Sequence, residues 1–114
     1  MAYKMFASIY VGSSELSMKI YQINSKKTFK LIDSVSRIIE LGKDTYQSGS
    51  LSTESIKQVC LILDDFKEKM KEYQITEYRA YATSAVRESD NADIVLDAIE
   101  RNSNIKVQVL SNSE

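Results

Sequence analysis

Two short stretches carry the residue types that chemistry on an anion would need: Gly12-Ser13-Ser14, inside SIYVGSSEL from Ser8 to Leu16, and Thr83-Ser84-Ala85-Val86-Arg87. Together they offer backbone N–H groups, four hydroxyls from Ser13, Ser14, Thr83 and Ser84, and one guanidinium. Oxyanions accept from N–H and O–H donors and pair bidentately with arginine, so a phosphate suits such a set. Each half alone also fits a plainer role. Gly-Ser-Ser makes an ordinary hairpin turn, and Arg87 reads equally well as a solvated arginine at the start of a helix. The choice depends on whether the fold brings the two stretches to one place.

The rest of the composition narrows the chemistry. Histidine is absent, which removes the usual general base, the commonest zinc ligand and any Ser-His or Cys-His pairing. Reactions here would rest on carboxylates, hydroxyls and arginine. The single cysteine, Cys60, allows no intramolecular disulfide and falls in a helical pattern, where it reads as a small core hydrophobe in a reducing interior. With 15 basic against 16 acidic residues and a net charge of -1, nothing draws the chain broadly toward nucleic acid or an anionic membrane. Any anion must be held locally. No window approaches the ~18 to 20 apolar residues of a membrane span, and MAYKMFASIYV lacks a signal peptide's apolar core, so the expected location is the cytoplasm.

The 114 residues, 43% hydrophobic, suit one domain, and their periodicities arrange it. Met5 to Val11 is apolar on both faces, as in a central strand covered on both sides. Glu15 to Ile23 alternates and returns antiparallel, and Thr28 to Ile39 forms a third, longer and less regular strand. Leu41 to Ser50, LGKDTYQSGS, reads as a polar surface loop. Ser52 then caps a helix of about six turns whose Ile56, Val59, Leu63, Phe66, Met70 and Tyr73 make a core stripe. Glu77 to Thr83 is a fourth strand, parallel to its neighbour after the crossover. Asn91 caps a shorter helix to about Asn102, with Ile94, Val95, Leu96, Ala98 and Ile99 as its apolar side, and Ile105 to Leu110 is a fifth strand. The order β-β-β-α-β-α-β predicts a mixed α/β sheet. In such sheets ligands sit at the carboxyl ends of the strands, where both candidate stretches would open. Two helices for five strands leave one sheet face poorly covered, so residues 1–114 read as one N-terminal domain of a longer protein rather than as a complete self-associating domain.

At this point a resemblance enters. The pattern AxIxxGSxxxxxxIY from Ala7 to Tyr21, GxLSxESI from Gly49 to Ile56, YATSAVRES from Tyr81 to Ser89 and VQVLSNSE at the end resemble the N-terminal lobe of the exopolyphosphatase and guanosine pentaphosphate phosphohydrolase family. ATSAVRE is the most specific of these segments. The resemblance implies a ribonuclease-H-like lobe of the sugar kinase, heat-shock ATPase and actin superfamily, facing a second lobe across a cleft. It also implies a magnesium-dependent release of orthophosphate from polyphosphate or guanosine pentaphosphate. On that basis Gly12 and Ser13 would touch a phosphate, with Thr83, Ser84 and Arg87 on its other side.

The chain departs from that family's pattern at two places. Tyr10 stands where the family carries an aspartate two residues before the glycine, and a phenol is a poor magnesium ligand. Glu15 stands where the family has a small hydroxyl. At ~4 Å and an effective dielectric of about 20, a carboxylate against one phosphate charge costs roughly 4 kcal/mol, more than the ~1 kcal/mol of a hydrogen bond. At the other end, Ser111, Asn112 and Glu114 match the segment that leads to the family's catalytic glutamate, which falls just past Glu114. Glu114 takes that role itself only with a one-residue shift. These departures keep open, beside the enzyme, a family member that binds a phosphorylated ligand or a protein without turnover, and the poorly covered sheet face keeps open a complete small oligomeric interaction domain.

Overall fold

The computed structural model describes residues 3–110. Strand β1 (Tyr3–Val11) pairs antiparallel with β2 (Glu15–Asn24), and β2 pairs antiparallel with β3 (Phe29–Ile38). Strand β4 (Glu77–Ala82) lies parallel on the other flank of β1, and β5 (Gln108–Val109) parallel to β4. The sheet order β3-β2-β1-β4-β5 puts β1 in the middle of a mixed five-stranded sheet, as the sequence predicts.

Strand alternation builds the core. Ala7 faces Ile20, Ile9 faces Met18 and Val11 faces Leu16, so all six point to one side, and all six are fully buried. Ala80 and Ala82 of β4 continue that face opposite Ile9 and Val11. Against it lies helix α2 (Thr53–Glu72) with Val59, Leu63, Phe66 and Met70, joined by Val95 and Ile99 of helix α4 (Ala92–Ser103). Each fully buried Leu, Ile or Phe stabilises the fold by about 1.5–3 kcal/mol over leaving it exposed, and this is what orients the helices. Cys60 is buried between the two helices, with Sγ 3.8 Å from the Ala98 carbonyl, and burial pushes its thiol pKa up. It is the core residue the sequence predicts.

Several elements differ from the sequence reading. Leu41 to Ser50 is not a loop: Leu41–Ser48 forms helix α1, with Leu41 and Thr45 buried and Gly49 closing it at φ 81. The left-handed conformation at Gly49 lets its N–H bond the Thr45 carbonyl at 2.8 Å and stops the helix. Ser84–Arg87 winds into one short turn, α3. Asn91 does not cap α4 with its side chain; its amide instead clasps Leu51, accepting from the Leu51 N–H and donating to the Leu51 carbonyl, both at 3.0 Å. Ile94 is solvent-exposed rather than part of the apolar side. The fifth strand shrinks to two residues because Ile105 is drawn into the core and the Lys106 N–H bonds the Tyr78 hydroxyl at 3.1 Å instead of a strand carbonyl.

The second face of the sheet carries Phe6, Ser8 and Tyr10 of β1 beside Glu15, Ser17, Lys19 and Tyr21 of β2. The expectation that β1 is covered on both sides fails there: Tyr10 is 44% exposed. The helix-covered side and the open side are thus distinct. No helix of the described residues is long and apolar enough to cross a membrane.

Candidate functional site

Parallel pairing of β1 with β4 decides where the two candidate stretches meet. Val11 and Ala82 are partners at the ends of their strands, so the bends that follow leave the same edge of the sheet. The Thr83 N–H donates to the Val11 carbonyl at 3.1 Å and prolongs the ladder by one bond. Beyond it, Ser13 Oγ and Ser84 Oγ lie 3.1 Å apart. The first bend is tight because the Gly12 N–H bonds the Glu15 carbonyl at 2.9 Å, and a Cβ on Gly12 would stand only 3.0 Å from that same oxygen. Glycine is favoured there by that close contact, not by its dihedral angles.

Helix α1 supplies a third wall that the sequence reading missed. Its Gly42 N–H donates to the Ser13 carbonyl at 2.8 Å, its Thr45 hydroxyl to the buried Ala85 carbonyl at 2.6 Å, and its Tyr46 hydroxyl to Ser84 Oγ at 2.9 Å. One helix therefore ties the first bend to the second. Gly42 permits the approach, since a Cβ would sit 3.2 Å from Ser13 Cβ and 3.3 Å from Tyr46 Cε2. Two signals for α1 were present: Leu41 and Thr45 one helical turn apart, and a glycine placed as a helix stop. The polar composition of the stretch concealed both.

The bends border a shallow cleft of about 310 Å³ lined by Tyr10, Gly12, Ser13, Ser14, Glu15, Ser17 and Thr83. The N–H groups of Ser13, Ser14 and Ser84 have no hydrogen-bond partner among the described residues. Ser13 and Ser14 line the cleft together with Glu15, while Ser84 stands next to it through its contact with Ser13. The Arg87 guanidinium is engaged at the other side of its turn. Its Nη1 donates to the Leu110 carbonyl at 2.8 Å and its Nε to Glu88 at 3.1 Å, so it grips the end of β5. Glu114 lies outside the described residues. A wider cleft of about 630 Å³, lined by Tyr3, Lys4, Ile23 and Phe29 among others, sits at the far end of β1, roughly 25 Å away at 3.3 Å per residue.

Magnesium takes oxygen donors in a near-octahedral set, commonly one or two carboxylates with phosphate oxygens and waters. The cleft brings one carboxylate, Glu15, and the Tyr10 phenol. Among the described residues no group of three or more Cys, Asp or Glu gathers anywhere. One carboxylate meets the low end of such a set, with the remaining positions left to phosphate oxygens and water.

Fold and site together define a class: one ribonuclease-H-like lobe whose two neighbouring bends offer N–H and O–H donors at the carboxyl edge of the sheet. The RuvC protein of T. thermophilus, solved with a Holliday junction, shares that fold alone, at 8% identity and a TM-score of 0.52 over 93% of this chain and 65% of its own. Closer matches go further. The model of the Ppx/GppA phosphatase family matches residues 19–114, and the chain belongs to that family. The matched residues include Thr83 to Arg87 but begin past the Gly12 bend, where the departures at Tyr10 and Glu15 also lie. The Ppx/GppA family member of Aquifex aeolicus superposes with a TM-score of 0.91 at 27% identity over 96% of this chain and 36% of its own. A bifunctional 3-dehydroquinate synthase/phosphatase of Fusobacterium nucleatum is 28% identical over 114 residues, 95% of this chain and 17% of that protein. The chain thus spans about a third of the solved relative and a sixth of the curated one.

Proposed function

We propose that the chain forms the phosphate-gripping lobe of a phosphatase that releases orthophosphate from polyphosphate or guanosine pentaphosphate. The observation that carries this reading is the 3.1 Å approach of Ser13 Oγ to Ser84 Oγ, which joins two stretches far apart in sequence at one rim. A terminal phosphate held there would take hydrogen bonds from the serine hydroxyls and from the free N–H groups of Ser13, Ser14 and Ser84. Such donors matter because phosphoryl transfer is mostly positioning and neutralisation of charge developing on oxygen. Thr83 buttresses the pair from the strand end, with its Oγ1 3.5 Å from the Val11 carbonyl. The water-activating glutamate and the opposing lobe that the family resemblance implies are not among the described residues, so turnover belongs to the whole protein.

Tripolyphosphate titrated calorimetrically into the chain tests the grip. Binding that weakens roughly fivefold in Ser84→Ala, the equivalent of one lost hydrogen bond, supports it. Absence of binding at millimolar tripolyphosphate overturns it.

One feature favours a second reading, binding without turnover. Tyr10 and Glu15 both line the cleft, and Glu15 brings a negative charge to the place an anion would occupy. Phosphate release from polyphosphate by the whole protein and by its Tyr10→Asp, Glu15→Ser variant separates the two. Release that appears only in the variant favours binding without turnover, and release by the natural protein removes that reading.

A further inference from the structure

The serine pair at the rim has a third member. Tyr46 donates its phenolic O–H to Ser84 Oγ at 2.9 Å, and Ser84 Oγ lies 3.1 Å from Ser13 Oγ, so three hydroxyls stand in line. Three hydroxyls carry three protons, and the two bonds between them use two. A phenol is a stronger acid than an aliphatic alcohol, which makes Tyr46 the better donor and Ser84 the better acceptor. With Tyr46 donating inward, two arrangements remain. Either Ser84 donates to Ser13 and Ser13 has the free proton, or Ser13 donates to Ser84 and Ser84 has it. In both, the unspent O–H belongs to a serine at the rim. Without the phenol the pair still holds one unspent proton, but Ser84 Oγ loses the donor that fixes its rotamer and polarises its own O–H, so that proton is neither held toward the rim nor strengthened as a donor.

We propose that Tyr46 is a positioning residue for anion binding, one that fixes Ser84 Oγ and keeps a serine proton turned toward the ligand. The proposal rests on the phosphate-gripping reading of this same rim, and the ligand class is a terminal phosphate of a linear phosphate chain. The placement of the tyrosine is built into the fold. Helix α1 is anchored at Ser13 through Gly42 and at Ala85 through Thr45, and the missing Cβ of Gly42 makes room for the ring beside Ser13. The ring itself is 61% exposed, so it contributes little to the core, and removal of its hydroxyl leaves packing intact.

Calorimetric titration with tripolyphosphate at neutral pH, on the natural chain, Tyr46→Phe, Ser84→Ala and the double variant, tests this, with thermal melting of each. Tyr46→Phe is expected to weaken binding roughly three- to tenfold, the range of one hydrogen bond, while melting within about 2 °C of the natural chain. The double variant should bind no worse than Ser84→Ala alone, because Tyr46 acts through Ser84. Unchanged affinity in Tyr46→Phe beside a loss in Ser84→Ala overturns the role of Tyr46 and leaves the phosphate reading standing. Full multiplication of the two losses in the double variant makes Tyr46 a direct ligand contact and overturns positioning. A natural chain that does not bind tripolyphosphate overturns the phosphate reading and this proposal with it.

Discussion

Asp33 and Tyr73 show how one pair of side chains ties an edge strand to a helix end. The Tyr73 hydroxyl donates to Asp33 Oδ2 at 2.9 Å, the Ser34 N–H to Oδ1 at 2.8 Å, and Lys69 Nζ stands 3.6 Å off. Foremost the Tyr73 bond, then the Ser34 N–H and the Lys69 charge, hold the Asp33 carboxyl below its ordinary value. The same bond raises the Tyr73 phenol above its own. The two shifts bound one contribution from opposite sides. A depressed carboxyl stabilises the fold above its unfolded value of about 4, and that stability is lost as pH falls through the lower folded value. A raised phenol stabilises below about 10, and that is lost as pH rises through the higher folded value. Tyr73→Phe should therefore lower stability in urea unfolding near neutral pH, with the gap to the natural chain narrowing below about pH 4. A gap of constant size from pH 7 down to pH 2 would show that the bond contributes no pH-linked stability.

Helix α1 is where the sequence reading and the fold part company, and the reason is physical. The inner strands and the long helix were legible because each buries one face, so alternation in Leu16, Met18 and Ile20, or the stripe Val59, Leu63, Phe66 and Met70, writes burial directly into spacing. The meeting of the two bends followed from the parallel crossover, itself legible in the long helix between strands. Helix α1 buries only Leu41, Gly42 and Thr45, and its tie to the site runs through a main-chain N–H and hydroxyls, which leave no periodic trace. Tyr46 was invisible for the same reason, and the grip of Arg87 on the Leu110 carbonyl depends on a tertiary contact that no local pattern encodes. The Thr45 bond offers the cleanest measure of what α1 contributes. The Ala85 carbonyl is buried and takes the Thr45 hydroxyl at 2.6 Å, so Thr45→Val keeps the volume and strands the acceptor. The expected cost is about 1–3 kcal/mol in urea unfolding, the penalty of an unsatisfied buried carbonyl. A loss under a few tenths of a kcal/mol would mean that water replaces the hydroxyl and that α1 is held mainly by Leu41.

Over the whole molecule, packing is one-sided. Both long helices lie against the face of Ile9 and Met18, while the opposite face presents Tyr21 and Phe29, with ring centroids 6.0 Å apart, beside Leu31, and at the other end of the same strand Ile38. Phe29 is 58%, Leu31 52% and Ile38 86% exposed, and the strand that bears all three is the edge of the sheet. Contiguous apolar surface on an unpaired edge strand is a template for association, both by burial of side chains and by added strand pairing. The chain studied alone is therefore expected to sediment as a concentration-dependent mixture of monomer and larger species. Phe29→Lys with Leu31→Lys should shift it to monomer in analytical ultracentrifugation, since edge lysines oppose both routes. Exposed positions tolerate such changes within about 0.5 kcal/mol each, so the variant should unfold at nearly the same urea concentration. Ile38 is left unchanged because it lies directly across from Glu15 at the mouth of the cleft, where a new cation would alter anion binding as well as association. If the double-lysine variant associates as strongly as the natural chain, the contact lies elsewhere, and the open face is not what drives it.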